Sequence, residues 1–140
     1  MGQEYAGDVT PKKAWEILQS KADSYLVDCR TTAEWTFVGI PDLSLLNKEP
    51  YLIEWTRFPD GSQNPHFVDQ TQQKIPDPDA AIFFLCRSGH RSMAAAVSMT
   101  AAGYSYCYNI VEGFEGNPDH KDHRGTLDGW KFSQLPWKQS

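Results

Sequence analysis

The stretch Ala81 to Gly103, AIFFLCRSGHRSMAAAVSMTAAG, decides the fold. Ala81, Ile82, Phe83, Phe84 and Leu85 form an unbroken apolar run up to Cys86, the pattern of a strand covered on both faces in a parallel sheet. Ser88 and Gly89 suit a tight turn. Met93, Ala96, Val97, Thr100 and Ala101 then recur on one helical face as far as Gly103, a residue suited to a helix end. The order is therefore strand, short loop, helix. It places the Cys86 thiol at the carboxyl end of a strand and under a helix amino terminus, where free backbone N–H groups and the helix dipole favour an anion. Arg87 and Arg91 add positive charge. All three influences favour thiolate over thiol, so Cys86 is the candidate nucleophile of an anion-binding loop. A cysteine ending a buried strand can also be a small apolar filler, but that role requires neither two flanking arginines nor an adjoining Ser and Gly.

CRSGHR, Cys86 to Arg91, followed by Ser92, is similar to the active-site loop of the rhodanese family of sulfurtransferases, in which a nucleophilic cysteine opens a six-residue loop that curls around its own sulfur. The resemblance extends to LVDCRTTAEW, Leu26 to Trp35, which looks like a family box of Asp, a variable residue, Arg, then Glu and an aromatic. It implies structural roles for Asp28, Arg30 and Glu34, with Arg30 and Glu34 as an ion pair. The family usually continues with Gly, His and an apolar residue before Pro and Gly; here the chain reads Val38, Gly39, Ile40, Pro41, Asp42, without the histidine. Glu112 to Glu115 resemble the segment after the last strand, and Trp130 with the closing Leu135, Pro136 and Trp137 resembles the terminal helix and turn. The resemblance spans Gly7 to Trp137.

What the resemblance implies is an α/β fold of three layers over a single domain, residues 1–140, with a central, mostly parallel sheet of about five strands and helices on both faces. The implied function is transfer of a sulfane sulfur from an anionic donor, thiosulfate or a persulfide, through a Cys86 persulfide to a thiol, cyanide or protein-thiol acceptor. N–H groups from Arg87 to Ser92 would point at the sulfur, as preorganised donors do for developing charge. Arg87 and Arg91 would attract the donor, Ser88 and Ser92 would offer hydroxyls, Gly89 would permit close backbone approach, and His90 would face solvent at the pocket mouth. No cofactor is implied. Two other readings share the features. A cysteine phosphatase or arsenate reductase also cradles an anion over a cysteine, but its signature puts Arg after five intervening residues, where this chain has Ser92. A non-catalytic rhodanese-like binding module usually lacks the cysteine that this chain keeps.

Composition narrows the partners. A net charge of −5 and a pI near 5.2 exclude broad electrostatic binding to nucleic acid or an acidic membrane surface, so any anion site is local. Met1 to Asp8 has no apolar core of a signal peptide, and no run approaches the roughly 20 residues of a membrane helix. Three cysteines without paired spacing fit a reducing compartment, and the expected location is cytoplasmic.

The remaining chain is read from local patterns. Thr10 caps and Pro11 opens a helix to Ser20, with Val9 stapled to Ala14. Tyr25 to Asp28, Tyr51 to Thr56 and Tyr106 to Val111 read as strands, the last containing Cys107 as packing. Residues 57–79 are an extended connection holding one helix, begun by Asn64 and Pro65 and facing Phe67, Val68 and Ile75 inward; His66 is a surface residue. Residues 117–129 are a polar loop whose His120 and His123 have metal-ligand spacing without a helix to present it. In a parallel sheet Cys29 reaches the same edge as Cys86, where it would either replace a small apolar residue or resolve a Cys86 persulfide.

Overall fold

An apolar run with no polar face must be covered on both sides, and in the computed structural model Ala81–Leu85 is the middle strand of a five-stranded parallel sheet. The structure describes residues 4–139, so the first three residues of the Met1 to Asp8 stretch lie outside it. The strand order is β1 (Gly7–Val9), β6 (Tyr106–Ile110), β5 (Ala81–Leu85), β2 (Ser24–Asp28), β4 (Tyr51–Leu52). Side chains alternate across the sheet. Ile82 and Phe84, with Val27, face α3 (Phe67–Lys74) and α4 (His90–Ala101) through Phe67, Ala95, Ala96 and Met99. Phe83 and Leu85, with Leu26, face α1 (Pro11–Ser20) through Ala14 and Leu18, and beyond it Phe114 and Trp130. Each of these large side chains contributes about 1.5–3 kcal/mol on burial. This is the three-layer fold expected.

Local chemistry sets the element ends. Thr10 Oγ1 accepts from Lys13 N at 3.1 Å and Pro11 occupies the first turn of α1, as the sequence predicts. The helix expected from Pro65 starts instead at Phe67, because the Asn64 side chain is used elsewhere. Its Nδ2 donates to the Glu54 carbonyl at 2.8 Å and to Gln70 Oε1 at 2.9 Å, while its Oδ1 accepts from His66 N in a turn. The strand expected over Tyr51 to Thr56 shortens to β4. Beyond it Trp55 N still reaches the Cys29 carbonyl, but the Trp55 ring packs edge-on against Phe67 and the chain closes a hairpin through Thr56 and Gln63.

The expected terminal helix is replaced by turns. Trp130, fully buried, donates from Nε1 to the Pro136 carbonyl at 2.8 Å, and β7 (Trp137–Lys138) then pairs antiparallel with β3 (Ile40–Pro41). That pairing uses the segment where the family histidine is missing. In the polar loop, Asp119 accepts from the His123 and Lys121 backbone and from Thr126, so it binds its own turn; among the described residues no three His, Cys, Asp or Glu side chains gather as a metal site. Among those residues no helix is long and apolar enough to cross a membrane.

The Arg30–Glu34 ion pair is not formed. Arg30, fully buried, instead grips Asp28 two residues earlier with two parallel bonds (Nε to Oδ1 2.9 Å, Nη2 to Oδ2 2.7 Å), donates to the Gly39 carbonyl at 2.7 Å and lies 4.2 Å from the centre of the Phe114 ring. The reason is reach. The two residues flank the same strand end, whereas Glu34 is carried away by α2 (Thr32–Phe37). Replacing Arg30 by Met strands a buried carboxylate, and we expect a loss of about 3–5 kcal/mol in urea titration. Arg30→Lys should recover little of it, because an ammonium cannot reproduce the two-pronged contact.

Candidate active site

β5 ends at Leu85 and α4 begins at His90, so Cys86 to Gly89 is all the loop between them. Two groups touch the sulfur: Gly89 N–H donates to Cys86 Sγ at 3.1 Å, and the Ser92 hydroxyl lies 3.2 Å from it. Of the N–H groups expected around the sulfur from Arg87 to Ser92, Gly89 is the one that reaches it. Those from His90 to Ser92 lie in the first turn of α4 and make no bond to the sulfur. Cys86 itself is 1% exposed, at the bottom of the loop rather than on its rim.

Two glycines shape this loop for different reasons. Gly89 has φ of +114°, a conformation L side chains rarely adopt, yet a Cβ there would meet nothing nearer than 3.8 Å. Backbone freedom, rather than the close approach expected from the sequence, is what position 89 needs. Close approach occurs at Gly113, where a Cβ would run into the Cys86 and Arg87 backbone carbonyls. Those carbonyls accept from Phe114 N at 2.8 Å and Glu115 N at 3.1 Å. The segment after β6 thus takes up the loop's carbonyls, while the Gly89 N–H turns in to the sulfur.

The two arginines of the loop are not equivalent. Arg91 forms a two-pronged pair with Glu34 (2.8 and 2.9 Å), joining α4 to α2, while Arg87 is exposed and makes no ion pair among the described residues. Glu34 also completes a capping box with Thr31, whose Oγ1 accepts from Glu34 N as Glu34 Oε1 accepts from Thr31 N. Burial alone would raise the Glu34 carboxyl, but its bonds and charge attraction with Arg91, helped by Thr31, leave it below its ordinary value. The Glu34 bonds in turn hold the Arg91 guanidinium higher still, against burial. His90 is exposed and Ser88 half-buried, neither contacting the sulfur.

Asn109 of β6, which belongs to none of the motifs above, is 1% exposed and accepts from the Ser92 hydroxyl at 2.6 Å. A polar residue inside the apolar run Tyr106 to Val111 was the signal.

Cys29 lies where parallel pairing puts it. Asp28 pairs with Leu85, and one step on, Cys29 comes beside Cys86 in the same face of the core. Its N–H and its thiol both point to the Leu85 carbonyl, at 2.8 and 3.2 Å. Burial first, then the charges of Cys86 and Asp28, push this thiol well above its ordinary value, with Arg91 opposing. A resolving thiol must ionise, so these surroundings fit the packing reading. Cys107, the third unpaired thiol, is pushed up to about 11 by burial.

Comparison with known proteins places the chain among sequences that share this architecture. Residues 6–140 match the family described as the STR4 middle domain. An uncharacterised protein of Rickettsia conorii is 44% identical over 94% of this chain and 96% of its own length. The crystal structure of Rv0390 from M. tuberculosis superposes with a TM-score of 0.90 at 46% identity, covering 98% of this chain and 100% of that one. At the level of fold alone, a polysulfide-sulfur transferase homodimer from Wolinella succinogenes aligns with a TM-score of 0.64 at 19% identity, over 95% of this chain and 78% of that one.

Two outcomes test this geometry. Glu34→Gln should cost about 2 kcal/mol near neutral pH, where the wild-type carboxylate is charged and paired. Because folding lowers this carboxyl below its unfolded value of about 4.3, the contribution is present above that pH and fades as acid titrates the folded group. Thermal melts of the two proteins should therefore converge on acidification. After mild peroxide treatment, peptide maps of wild type and Cys29→Ser should show the same oxidation at Cys86, with no Cys29 to Cys86 crosslink in wild type.

Proposed function

This chain belongs to the rhodanese-like family, whose fold is shared by sulfurtransferases, and from that membership we propose that it carries a sulfane sulfur on Cys86. The observation that supports this most is the seating of the sulfur itself. A buried thiol at a strand end receives one backbone N–H at 3.1 Å and faces one hydroxyl at 3.2 Å. Such a seat suits a single added sulfur atom. A phosphate, as a phosphatase would require, has several oxygens that each need a donor, and here the helix begins only four residues after the cysteine.

The reaction takes two displacements. With thiosulfate as donor, the Cys86 thiolate attacks the outer sulfur, the donor's S–S bond breaks, and sulfite leaves with the bonding pair. The Cys86 persulfide that results is attacked at its outer sulfur by an acceptor, cyanide or a thiol, and Cys86 departs as thiolate. A persulfide donor enters the same way, with a thiolate as its leaving group. Gly89 N–H is placed to stabilise the charge on Cys86 sulfur at both ends of the cycle. Arg91 is occupied by Glu34, so recruitment of the anionic donor rests on Arg87 at the exposed rim. Three unpaired thiols suit a reducing compartment such as the cytoplasm.

Intact mass after incubation with thiosulfate should show one added sulfur in wild type and none in Cys86→Ser. The same loss should extend to thiocyanate formation with cyanide and to sulfide release with a dithiol. A protein that gains no sulfur from thiosulfate or from a persulfide donor is a binding module, and the proposal then fails. Arg87→Ala should raise KM for thiosulfate about 3- to 10-fold with kcat little changed, and added salt should shrink the difference.

A further inference from the structure

A serine hydroxyl carries one hydrogen, so its bonds can be assigned by counting. Asn109 Nδ2 donates to Asp8 Oδ1 at 3.1 Å, across the β1–β6 register that pairs those two residues. A carboxylate can only accept, so this bond fixes the amide with Nδ2 toward Asp8 and Oδ1 toward Ser92. Ser92 Oγ lies 2.6 Å from that Oδ1, which also can only accept, so the single Ser92 hydrogen is committed to Asn109. The contact between Cys86 Sγ and Ser92 Oγ at 3.2 Å is then a bond in which the thiol donates. Cys86, Ser92 and Asn109 are all 1% exposed or less, so water does not replace these partners. Tyr5 closes the chain, donating its hydroxyl to Asp8 Oδ1 at 2.7 Å.

We propose that Asn109, held by Asp8, is a positioning residue that retains the Ser92 hydroxyl hydrogen while Cys86 is a thiol and releases it to the sulfur when negative charge develops there. The inference rests on the sulfurtransferase reading only for its use in turnover. Its geometry concerns the resting cysteine. When the Cys86 proton leaves to solvent, Ser92 can no longer accept from sulfur. Its hydrogen must turn from Asn109 Oδ1 to the sulfur, and Asn109 loses a buried partner. The same turn would serve the persulfide anion. Asn109 therefore opposes ionisation of the free enzyme, and the hydroxyl supplies a donor only where a charge is being made.

The test reads the pH dependence of Cys86 alkylation by iodoacetamide, located by peptide mapping. Asn109→Leu removes the acceptor while filling most of its space, and Asn109→Ala checks it independently. Either frees Ser92 to donate to sulfur, so the alkylation midpoint should fall and the rate at neutral pH rise roughly 3- to 10-fold. Asp8→Ala, which lets the amide turn over, should move it the same way by less. The other groups around the sulfur stay in place: Arg91 with Glu34 from α4 and α2, Arg87 on the loop, and Cys29 with Asp28 from β2. In a Ser92→Ala background the Asn109 substitutions should have no effect. A midpoint that is unmoved or raised in both Asn109 variants overturns the proposal, and so does a shift that persists without Ser92. Alkylation needs no sulfur donor. A protein that shows the Ser92-dependent shift but never gains sulfur would refute the sulfurtransferase reading and leave this one standing.

Discussion

The register between β2 and β5 is the constraint on which the site depends. Ser24 lies against Ala81 and each following pair stays in step to Asp28 against Leu85. Because side chains alternate with a period of two, a slip of one residue would exchange the two faces of either strand. Leu26 would then face the α3 and α4 layer, and Cys86 would leave the face from which Ser92 approaches. Between those ends, Tyr25 to Val27 and Ile82 to Phe84 are without a charged or small polar residue, so hydrophobicity alone does not choose between slips. The strand ends do. Asp28 and Arg30 form a buried pair that fits only where the Gly39 carbonyl and the Phe114 ring can receive the guanidinium, and the Cys29 thiol and N–H both terminate on the Leu85 carbonyl. Buried polar groups penalise misalignment more sharply than apolar ones, because an unpaired member loses its whole desolvation cost.

The same principle sorts the charges around the loop. Arg30 is consumed inside the fold, Arg91 ties two helices together at the half-buried rim, and Arg87 alone stands in solvent. These three arginines thus have three different availabilities, set by how far each carboxylate can reach. Asp28 is two residues from Arg30. Glu34 is brought to Arg91 by the short helix whose first turn it also caps. Among the described residues no acid is so placed for Arg87.

Much of this was legible in the sequence because it is local. The apolar run, the Ser and Gly turn and the one-sided repeat of Met93, Ala96 and Thr100 give β5, its loop and α4 with no reference to the rest of the chain. Thr10 and Pro11 start α1 for reasons contained in three residues. What failed was long-range partnership. The family resemblance pairs Glu34 with Arg30, although Thr31 to Glu34 has the spacing of a capping box, a sign that the carboxylate turns back toward its own helix start. Asn64 and Pro65 look like a helix start, but the Asn64 amide is claimed by Glu54 and Gln70, and no local rule sees that competition. The final segment is held by pairing with residues about a hundred positions earlier, which no terminal pattern reveals.

The loop's rigidity also comes from outside it. None of the side chains from Arg87 to His90 fixes its path. The carbonyls of Cys86 and Arg87 are taken by the backbone N–H groups of residues 114–116, and Gly113 lets that segment approach closely enough to do so. Backbone donors carry no rotamer entropy and do not depend on which side chains line the loop. Substitutions at Ser88 or His90 can therefore alter the rim while the seat of the sulfur is preserved. Gly89 differs: its positive φ aims the one N–H that reaches Cys86, and a side chain there would strain the backbone even though space is open around it. Rim and seat are controlled separately, so Arg87, Ser88 and His90 can vary while the Gly89 contact to Cys86 is kept.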